Sequence, residues 1–465
     1  MAEAPTNPKG GIVLRGDYLN ALENVAQSIG TMGPVATIGT VLPLLIYKSG
    51  NGTWLLFIGI LGAFCLISTS INVFASRYAT AGSLSAFAEI GLGKWVGSLT
   101  GWSYIVAMAF VVISSAVSSA FYLAMVITHF THHPVGPVGS VALTVLVVAG
   151  AWWPAHHDIK LSTKIMLAVE LASVLAVLLI LGLAMNRSHH WVDHAQVHLE
   201  GVTFSGIKFG FILAFMVLAG FESTTTLGEE AKAATHTLPR VMFLCIVPIG
   251  ILFIATLYCL TALSHSQNLA LDQTDAPLDM IAQSIGLPAL GLLSSIAVAF
   301  SCFGCALGGF NAGSRVIFSM ARSRHIWGYF EAIHPVNGTP SRAVALLGWM
   351  SIVVPSAMIL DGVRMADAID YLVQMATFGF LGAYLAVCIA APVFLVRKFK
   401  LGPGRLVIAA LAVTILGAAF FLSVFPIPDA PWRYLPYMFA GMLAAGMLLS
   451  WRLDRLRPTA AAARI

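Results

Sequence analysis

The chain consists almost entirely of long apolar stretches, which limits what it can fold into. One helical membrane span needs about 20 apolar residues, and twelve stretches approach or exceed that length. In lipid, every backbone donor and acceptor must be satisfied internally, so we predict α-helices. The fold class is therefore predicted to be an all-α polytopic membrane protein with about twelve transmembrane helices. The stretches lie at 18–47, 53–76, 96–128, 139–154, 162–185, 204–231, 240–263, 288–321, 341–360, 367–396, 406–425 and 433–451.

Composition excludes several classes of function. Of the 465 residues, 58% are hydrophobic and only 10% are charged, whereas an average soluble protein carries about 25% charged residues. This deficit excludes a disordered chain, a nucleic-acid-binding protein and an ordinary soluble enzyme. We see no metal-ligand cluster, nucleophile with a base, or glycine-rich phosphate loop, so we expect no enzymatic activity, cofactor or metal.

The basic residues predict the orientation in the bilayer. With the N-terminus inside, 20 of the 25 lysines and arginines fall on the inner side and five on the outer side. This is a strong positive-inside pattern. We therefore predict cytoplasmic tails at 1–16 and 453–465 and a multi-pass location in the cell (plasma or inner) membrane. The net charge of +5 reports this topology and does not indicate a nucleic-acid partner.

Two spans contain residues that interrupt helices. In the first, residues 28–34 read S-I-G-T-M-G-P, and both glycine and proline destabilise a helix interior. In the sixth, residues 219–226 read A-G-F-E-S-T-T-T, which places glycine, a carboxylate and four hydroxyls in mid-span. Irregular backbone at this depth is tolerated only where it faces protein or a cavity.

The spacing of the breaks predicts an inverted repeat. Each break lies in the first helix of a five-helix set, at 17–203 and 204–400, and an odd number of spans inverts the second set. Matched breaks of this kind point to a transporter site, where half-helix amides bind a carboxylate and freed carbonyls bind an ammonium group or cation. The alternative is that the breaks only kink the helices. Residues 401–452 are predicted to hold the last two spans.

Three segments are similar to the amino acid–polyamine–organocation permeases. Residues 220–240 resemble their G-F-E…E-E-x-x…P-R signature, 82–102 resemble their entry into the third span, and 311–340 resemble the end of their eighth span. The resemblance covers residues 17–400. It implies the leucine-transporter fold, with two inverted five-helix repeats and two peripheral helices. It also implies secondary active transport of an amino acid or amine by alternating access.

The resemblance further implies a set of substrate-binding residues. The first break would contact a carboxylate, and the sixth-span break would offer carbonyls to an amino group. A gating aromatic would lie a turn before the second break, and the third span would contribute two side chains. The predicted residues are Gly30, Thr31, Met32, Gly33, Met108, Val112, Phe215, Met216, Ala219, Gly220, Phe221 and Glu222.

Two acids, Glu170 and Glu222, lie deep in apolar spans. A charge near the bilayer centre costs at least about 2.5 kcal/mol, so each is a functional hypothesis. An apolar environment favours the neutral form of a carboxyl group, which suits reversible protonation. We predict that one or both carry coupling protons. For Glu170 the alternative is a structural hydrogen bond to a neighbouring helix.

The residues leave the coupling ion and the substrate open. Sodium coupling would use hydroxyls and carbonyls between the first and eighth spans, with Ser301 as the candidate. A neutral amino acid would fit a site of small apolar groups, and a cationic amine would fit Glu222. Symport and exchange are both compatible with the pattern. An uncoupled channel or uniporter on the same scaffold and a non-transporting metabolite sensor are the remaining alternatives.

Overall fold

The structure is a computed structural model. It describes residues 14–271, 274–399, 402–425, 427 and 429–456. Most of the two predicted tails, at 1–13 and 457–465, lies outside these described residues.

The described part of the chain is helical, which confirms the predicted fold class. It contains ten helical stretches that are long and apolar enough to cross a membrane. The continuous spans are α4 (Thr53–Ala75), α6 (Lys94–Thr131), α7 (Pro137–His157), α8 (Ile159–Ser188), α11 (Ala234–Gln267), α13 (Pro288–Arg322), α14 (Ser341–Leu360), α15 (Met365–Lys398), α16 (Pro403–Leu422) and α17 (Leu435–Arg455). They are spans 2 to 5 and 7 to 12.

The other two spans, 1 and 6, are the ones in which the sequence predicts breaks, and both are interrupted. Span 1 comprises α1 (Ala21–Met32), α2 (Pro34–Thr40) and α3 (Leu42–Ser49). Span 6 comprises α10 (Phe204–Val217) and a 3₁₀ segment at Phe221–Leu227. None of these pieces is long enough to span alone. Ten continuous and two interrupted spans account for the twelve predicted stretches.

The break in span 1 is narrower than residues 28–34. Helix α1 starts at a capping box formed by Asn20 and Glu23, which satisfies its first amides. It continues through Met32 and ends at Gly33, whose φ of 51° suits glycine. Pro34 then occupies the first turn of α2, where its missing N–H costs nothing. A single left-handed residue therefore separates the two helices.

The break in span 6 is wider, because the chain does not return to an α-helix. Gly220 has a φ of 95°, and a 3₁₀ segment follows. The Thr225 hydroxyl donates to the Glu222 carbonyl at 2.7 Å, and the Thr226 hydroxyl donates to the Ser223 carbonyl at 2.6 Å. Such side-chain bonds compete with the regular helical ladder. The run of hydroxyl residues therefore accounts for the tighter winding.

Three short helices connect the spans: α5 (Ser83–Leu92), α9 (His194–Val197) and α12 (Pro277–Ser284). Spans 3, 8 and 10 are the most deeply buried, and spans 11 and 12 are the least buried. Span 8 packs against spans 3 and 5 and against α1. The interrupted spans thus lie against the most buried helices, and spans 11 and 12 lie at the periphery.

Candidate substrate and coupling site

The two helix breaks lie in direct contact. A Cβ placed on Gly220 would lie 3.0 Å from the Thr31 Cγ2 and 3.3 Å from the Thr31 carbonyl oxygen. The Ser28 hydroxyl donates to the Phe221 carbonyl at 2.7 Å. The structure therefore brings together the break residues that lie about 190 positions apart in the sequence.

Polar side chains that the sequence analysis did not single out extend from this contact. The Ser223 hydroxyl donates to the Thr31 hydroxyl at 3.0 Å. The Gln27 amide donates to the Thr31 hydroxyl at 3.1 Å and to the Gly308 carbonyl at 2.9 Å. The Asn311 Nδ2 donates to the side-chain Oε1 of Gln27 at 3.1 Å. Spans 1, 6 and 8 are therefore joined here by a continuous hydrogen-bond network.

Glycines let the helices around the first break approach closely. A Cβ on Gly33 would lie 3.1 Å from the Cys305 Cβ of span 8, and one on Gly30 would collide with Met166 of span 5. The Cys305 thiol donates to the Thr31 carbonyl at 3.1 Å. Predicted residues of the first break thus face spans 5 and 8. Met32, also predicted, lies in the buried core.

The two predicted residues of span 3 face span 8. Val112 lies against Gly309, where a Cβ would come within 2.7 Å of its Cγ2. Met108 lies 3.0 Å from the corresponding position on Gly313. Both side chains are fully buried. Their contact with the substrate stays a prediction.

An aromatic cluster surrounds the second break. Phe215 packs on Phe64 of span 2 with ring centroids 5.1 Å apart, and Phe221 packs on Phe64 at 5.7 Å and on Tyr384 of span 10 at 5.8 Å. Phe215 therefore contacts span 2 in this conformation, and its gating role stays a prediction. Ala219 is buried and Met216 is half-buried.

Glu222 lies within this cluster and is completely buried. Its Oε2 accepts a hydrogen bond from the Tyr384 hydroxyl, which also accepts the Gly220 amide at 3.2 Å. The Tyr104 hydroxyl lies beside Glu222 and Ser83. Among the described residues, neither the Glu222 Oε1 nor the Tyr104 hydroxyl meets the geometry of a hydrogen bond, although the Tyr104 hydroxyl lies close enough to interact with the carboxyl group. The bond from Tyr384 is therefore the one well-formed side-chain hydrogen bond to Glu222 in this part of the chain.

Glu170 and Ser301, predicted separately as proton and sodium candidates, contact each other. The Ser301 hydroxyl donates to the Glu170 Oε1 at 2.7 Å and accepts the Ala36 amide of α2 at 2.8 Å. Glu170 is 1% exposed, and its Oε2 has no hydrogen-bond partner among the residues that the structure describes. One of the α2 amides expected to be open to a substrate carboxylate is thus bonded to Ser301.

The predicted inner side is closed by backbone and ionic contacts. Leu19, just before α1, forms a bridge with Ala231, and the Lys232 amide donates to the Leu19 carbonyl at 2.8 Å. Beside them, Glu230 pairs through both oxygens with Arg315 of span 8, and both side chains are buried. Glu229 pairs with Arg322 two turns further along span 8 at 2.9 Å.

Comparison with known proteins agrees with this geometry. The family model described as amino acid permease matches residues 24–445. The chain belongs to the amino acid permease family. This membership confirms the resemblance seen in the sequence. The chain is a multi-pass membrane protein of a transport family, and amino acid transport is its class of activity.

The amino acid permease has distant relatives of several kinds. It is 24% identical to a branched-chain amino acid permease of Bacillus subtilis over 448 residues, which cover 90% of this chain and 91% of the relative. It is 26% identical to an uncharacterized transporter of Mycobacterium tuberculosis over 71% of each chain. A D-serine/D-alanine/glycine transporter of Escherichia coli is 23% identical over 63% of this chain and 64% of the relative.

The permease family model covers both breaks and all the predicted site residues. The residues that sequence reasoning missed are the polar partners Gln27, Asn311, Tyr104 and Tyr384. Each lies in an otherwise apolar span, so a search for uncharged polar residues would have found them. The carboxylates alone led to Glu222, which Tyr104 and Tyr384 contact, but not to the amide network of Gln27 and Asn311.

The contact between the breaks leads to a stability prediction for Gly220→Ala. A left-handed backbone costs a residue with a Cβ about 1–2 kcal/mol, and the added methyl would press on Thr31. We expect a lower melting temperature of the purified protein and a strong loss of transport. Gly417→Ala is the matched control, because a Cβ there, in span 11, meets nothing within 4 Å. Equal effects of the two substitutions would contradict the importance of the contact.

Proposed function

We propose that this permease is a proton-coupled symporter of a neutral amino acid that works by alternating access. In this proposal it lies in the cytoplasmic membrane with both termini in the cytoplasm, as the distribution of basic residues indicates. The substrate would bind beside the contact between the two breaks. Glu170 and Glu222 would be the groups that take up and release the coupling proton.

The observation that carries the proposal is the state of the two buried carboxyl groups. Within the described ranges, each has one oxygen that accepts a side-chain hydrogen bond and one that makes no well-formed hydrogen bond. Neither is paired with a basic side chain in the described part of the chain. An unpaired buried charge is expensive, so a group in this position needs a proton or a cation. Reversible proton binding meets that need at both positions.

The contacts between spans 1 and 8 favour a proton over sodium. The Ser301 hydroxyl donates to Glu170 and accepts the Ala36 amide. The Gly308 carbonyl accepts the Gln27 amide. Sodium would need oxygens of this kind as ligands, but hydrogen-bond donors already occupy them. Sodium coupling therefore requires these hydrogen bonds to break.

The substrate class follows from the surroundings of the breaks. Phe64, Phe221 and Tyr384 enclose the second break with apolar surface, which suits a neutral side chain. The names of two relatives, a branched-chain amino acid permease and a D-serine/D-alanine/glycine transporter, point to neutral amino acids as well. A cationic amine is the second candidate, because the unpartnered oxygen of Glu222 would accept its ammonium group.

Uptake into vesicles reconstituted with the purified permease tests the proposal. A thermal-shift screen against amino acids and amines first identifies the substrate, because a ligand that binds only the folded state stabilises it. We then expect an inward proton gradient to drive accumulation of that substrate. An equal sodium gradient at constant pH should not drive accumulation.

Three results would contradict the proposal in different ways. Accumulation driven by sodium alone would favour the Ser301 alternative. Uptake that equilibrates but never concentrates substrate under either gradient would indicate a uniporter or channel. Binding without counterflow would indicate a sensor. A lysine-like or diamine ligand in the screen would replace the neutral substrate with a cationic one.

A further inference from the structure

A cavity of about 250 Å³ lies away from the helix breaks, between spans 2, 10 and 11. Arg77, at the end of span 2, and Arg405, at the start of span 11, both line it. The two guanidinium groups come from positions more than 300 residues apart. Neither forms an ion pair with an acid in the described ranges. Two like charges that converge on one cavity repel each other, and an anion between them removes that repulsion.

The walls of the cavity add polar groups and a fixed orientation for one arginine. Thr69, Ser70, Asn72 and Ser76 line its span 2 side. The Arg77 guanidinium lies 4.9 Å from the centroid of the Phe399 ring and donates to the Ser76 hydroxyl at 3.1 Å. These contacts hold one guanidinium group in a defined place beside the cavity.

Asn72 also lines the cavity, but its side-chain amide is bonded to span 7: the Nδ2 donates to the Pro239 carbonyl at 3.4 Å. The polar groups that a ligand in the cavity can meet are therefore the two arginines and the hydroxyl residues of span 2. A phosphate group, which accepts hydrogen bonds and carries negative charge, matches such a set.

The surroundings of the cavity are apolar and exposed. Leu406 and Val407, next to Arg405, are 50% and 56% exposed, and Val396 is 64% exposed. Exposed apolar side chains on a membrane protein face acyl chains. Both arginines lie at the predicted inner ends of their spans, and that orientation would place them at the depth of the lipid headgroups.

We propose that this cavity binds the headgroup of an anionic phospholipid, with its phosphate between Arg77 and Arg405. Phosphatidylglycerol has this chemistry, since it carries one phosphate charge. The positive-inside pattern explains why basic residues lie on this side. It does not explain why two of them, from spans 2 and 11, line the same cavity. The inference is independent of the proposed coupling mechanism.

The test measures thermal unfolding of the full-length protein in detergent with added lipid. Phosphatidylglycerol, phosphatidylcholine with the same acyl chains and inorganic phosphate are titrated separately. We expect half-maximal stabilisation by phosphatidylglycerol at a concentration at least about tenfold below that of phosphatidylcholine, since each arginine near an anionic lipid contributes about fivefold. In Arg77→Gln/Arg405→Gln the difference between the two lipids should disappear.

Arg324→Gln/Arg452→Gln is the matched control. It removes the same charge from the same predicted side, away from the cavity, and should keep the preference for phosphatidylglycerol. If the cavity variant does not fold, the single variant Arg405→Gln at the exposed helix start should still lose most of the preference. The proposal is overturned if the cavity variants keep the preference, if the control loses it equally, or if inorganic phosphate alone gives the full stabilisation.

Discussion

Replacing Glu222 by glutamine should abolish accumulation driven by a proton gradient while exchange of substrate across the membrane continues. Glutamine has nearly the same shape, and its carbonyl oxygen still accepts the Tyr384 hydroxyl that contacts Glu222. It cannot bind and release a proton in the physiological range. A proton gradient should therefore no longer drive accumulation of substrate, while the structure of the site is preserved. Uptake into proteoliposomes under an imposed pH gradient, together with counterflow at equal pH, measures both properties.

Two further substitutions make this result specific. Glu170→Gln keeps an acceptor for the Ser301 hydroxyl, so it separates a coupling role from a structural one. If Glu170 carries a proton, this variant should also lose gradient-driven accumulation; if it is structural, accumulation should persist. Glu200→Gln, in an exposed loop, should behave like the unaltered protein. Undiminished accumulation in both the Glu222 and Glu170 variants would refute proton coupling through these acids.

The helices could be predicted from the sequence because membrane insertion imposes a simple rule. Backbone groups in lipid must pair within the segment, so the ten uninterrupted apolar stretches form helices with ends close to the predicted ones. Span 9 was predicted at 341–360 and lies at Ser341–Leu360. The two broken spans were also recognisable, since glycine and proline disfavour a helix wherever they occur.

The backbone conformation of each break is harder to predict from the sequence. In span 1, α1 and α2 are separated by Gly33 alone, although three of the seven residues from 28 to 34 disfavour a helix interior. Span 6 continues as a 3₁₀ segment, because Thr225 and Thr226 bond to carbonyls three residues earlier. A hydroxyl in such a segment can bond to its own backbone or to another helix. Which of the two it does depends on tertiary contacts, and the hydrophobic pattern of the sequence contains no information about them.

The partners of the acids depend on packing between distant segments. Glu170 and Ser301 are 131 positions apart and share a hydrogen bond. Glu222 and Tyr384 are 162 positions apart. The sequence identified three of these four residues for separate reasons. It contained no local signal that would pair them, because side-chain contacts across spans depend on helix rotation and tilt.

The same limit applies to Glu229 and Glu230, which the sequence does not distinguish but the structure does. Glu230 is 1% exposed and pairs with the fully buried Arg315. Glu229 pairs with Arg322, whose side chain is 41% exposed. We expect Glu230→Gln to destabilise the protein by about 3–5 kcal/mol, because it leaves a buried guanidinium without its counter-charge. Glu229→Gln should cost no more than about 1 kcal/mol, as is typical of exposed pairs.

Thermal and denaturant unfolding of the two variants measures the difference, and the neighbouring glutamates serve as each other's control. The double variant Glu230→Leu/Arg315→Leu should recover most of the stability lost in Glu230→Gln, because removing both charges also removes the cost of burying them. Equal effects of Glu229→Gln and Glu230→Gln would contradict this account.

Since the backbone bridge between Leu19 and Ala231 lies beside Glu230, loss of the buried pair should also open the predicted inner side. Increased labelling there by a membrane-impermeant reagent in inside-out vesicles would detect that opening.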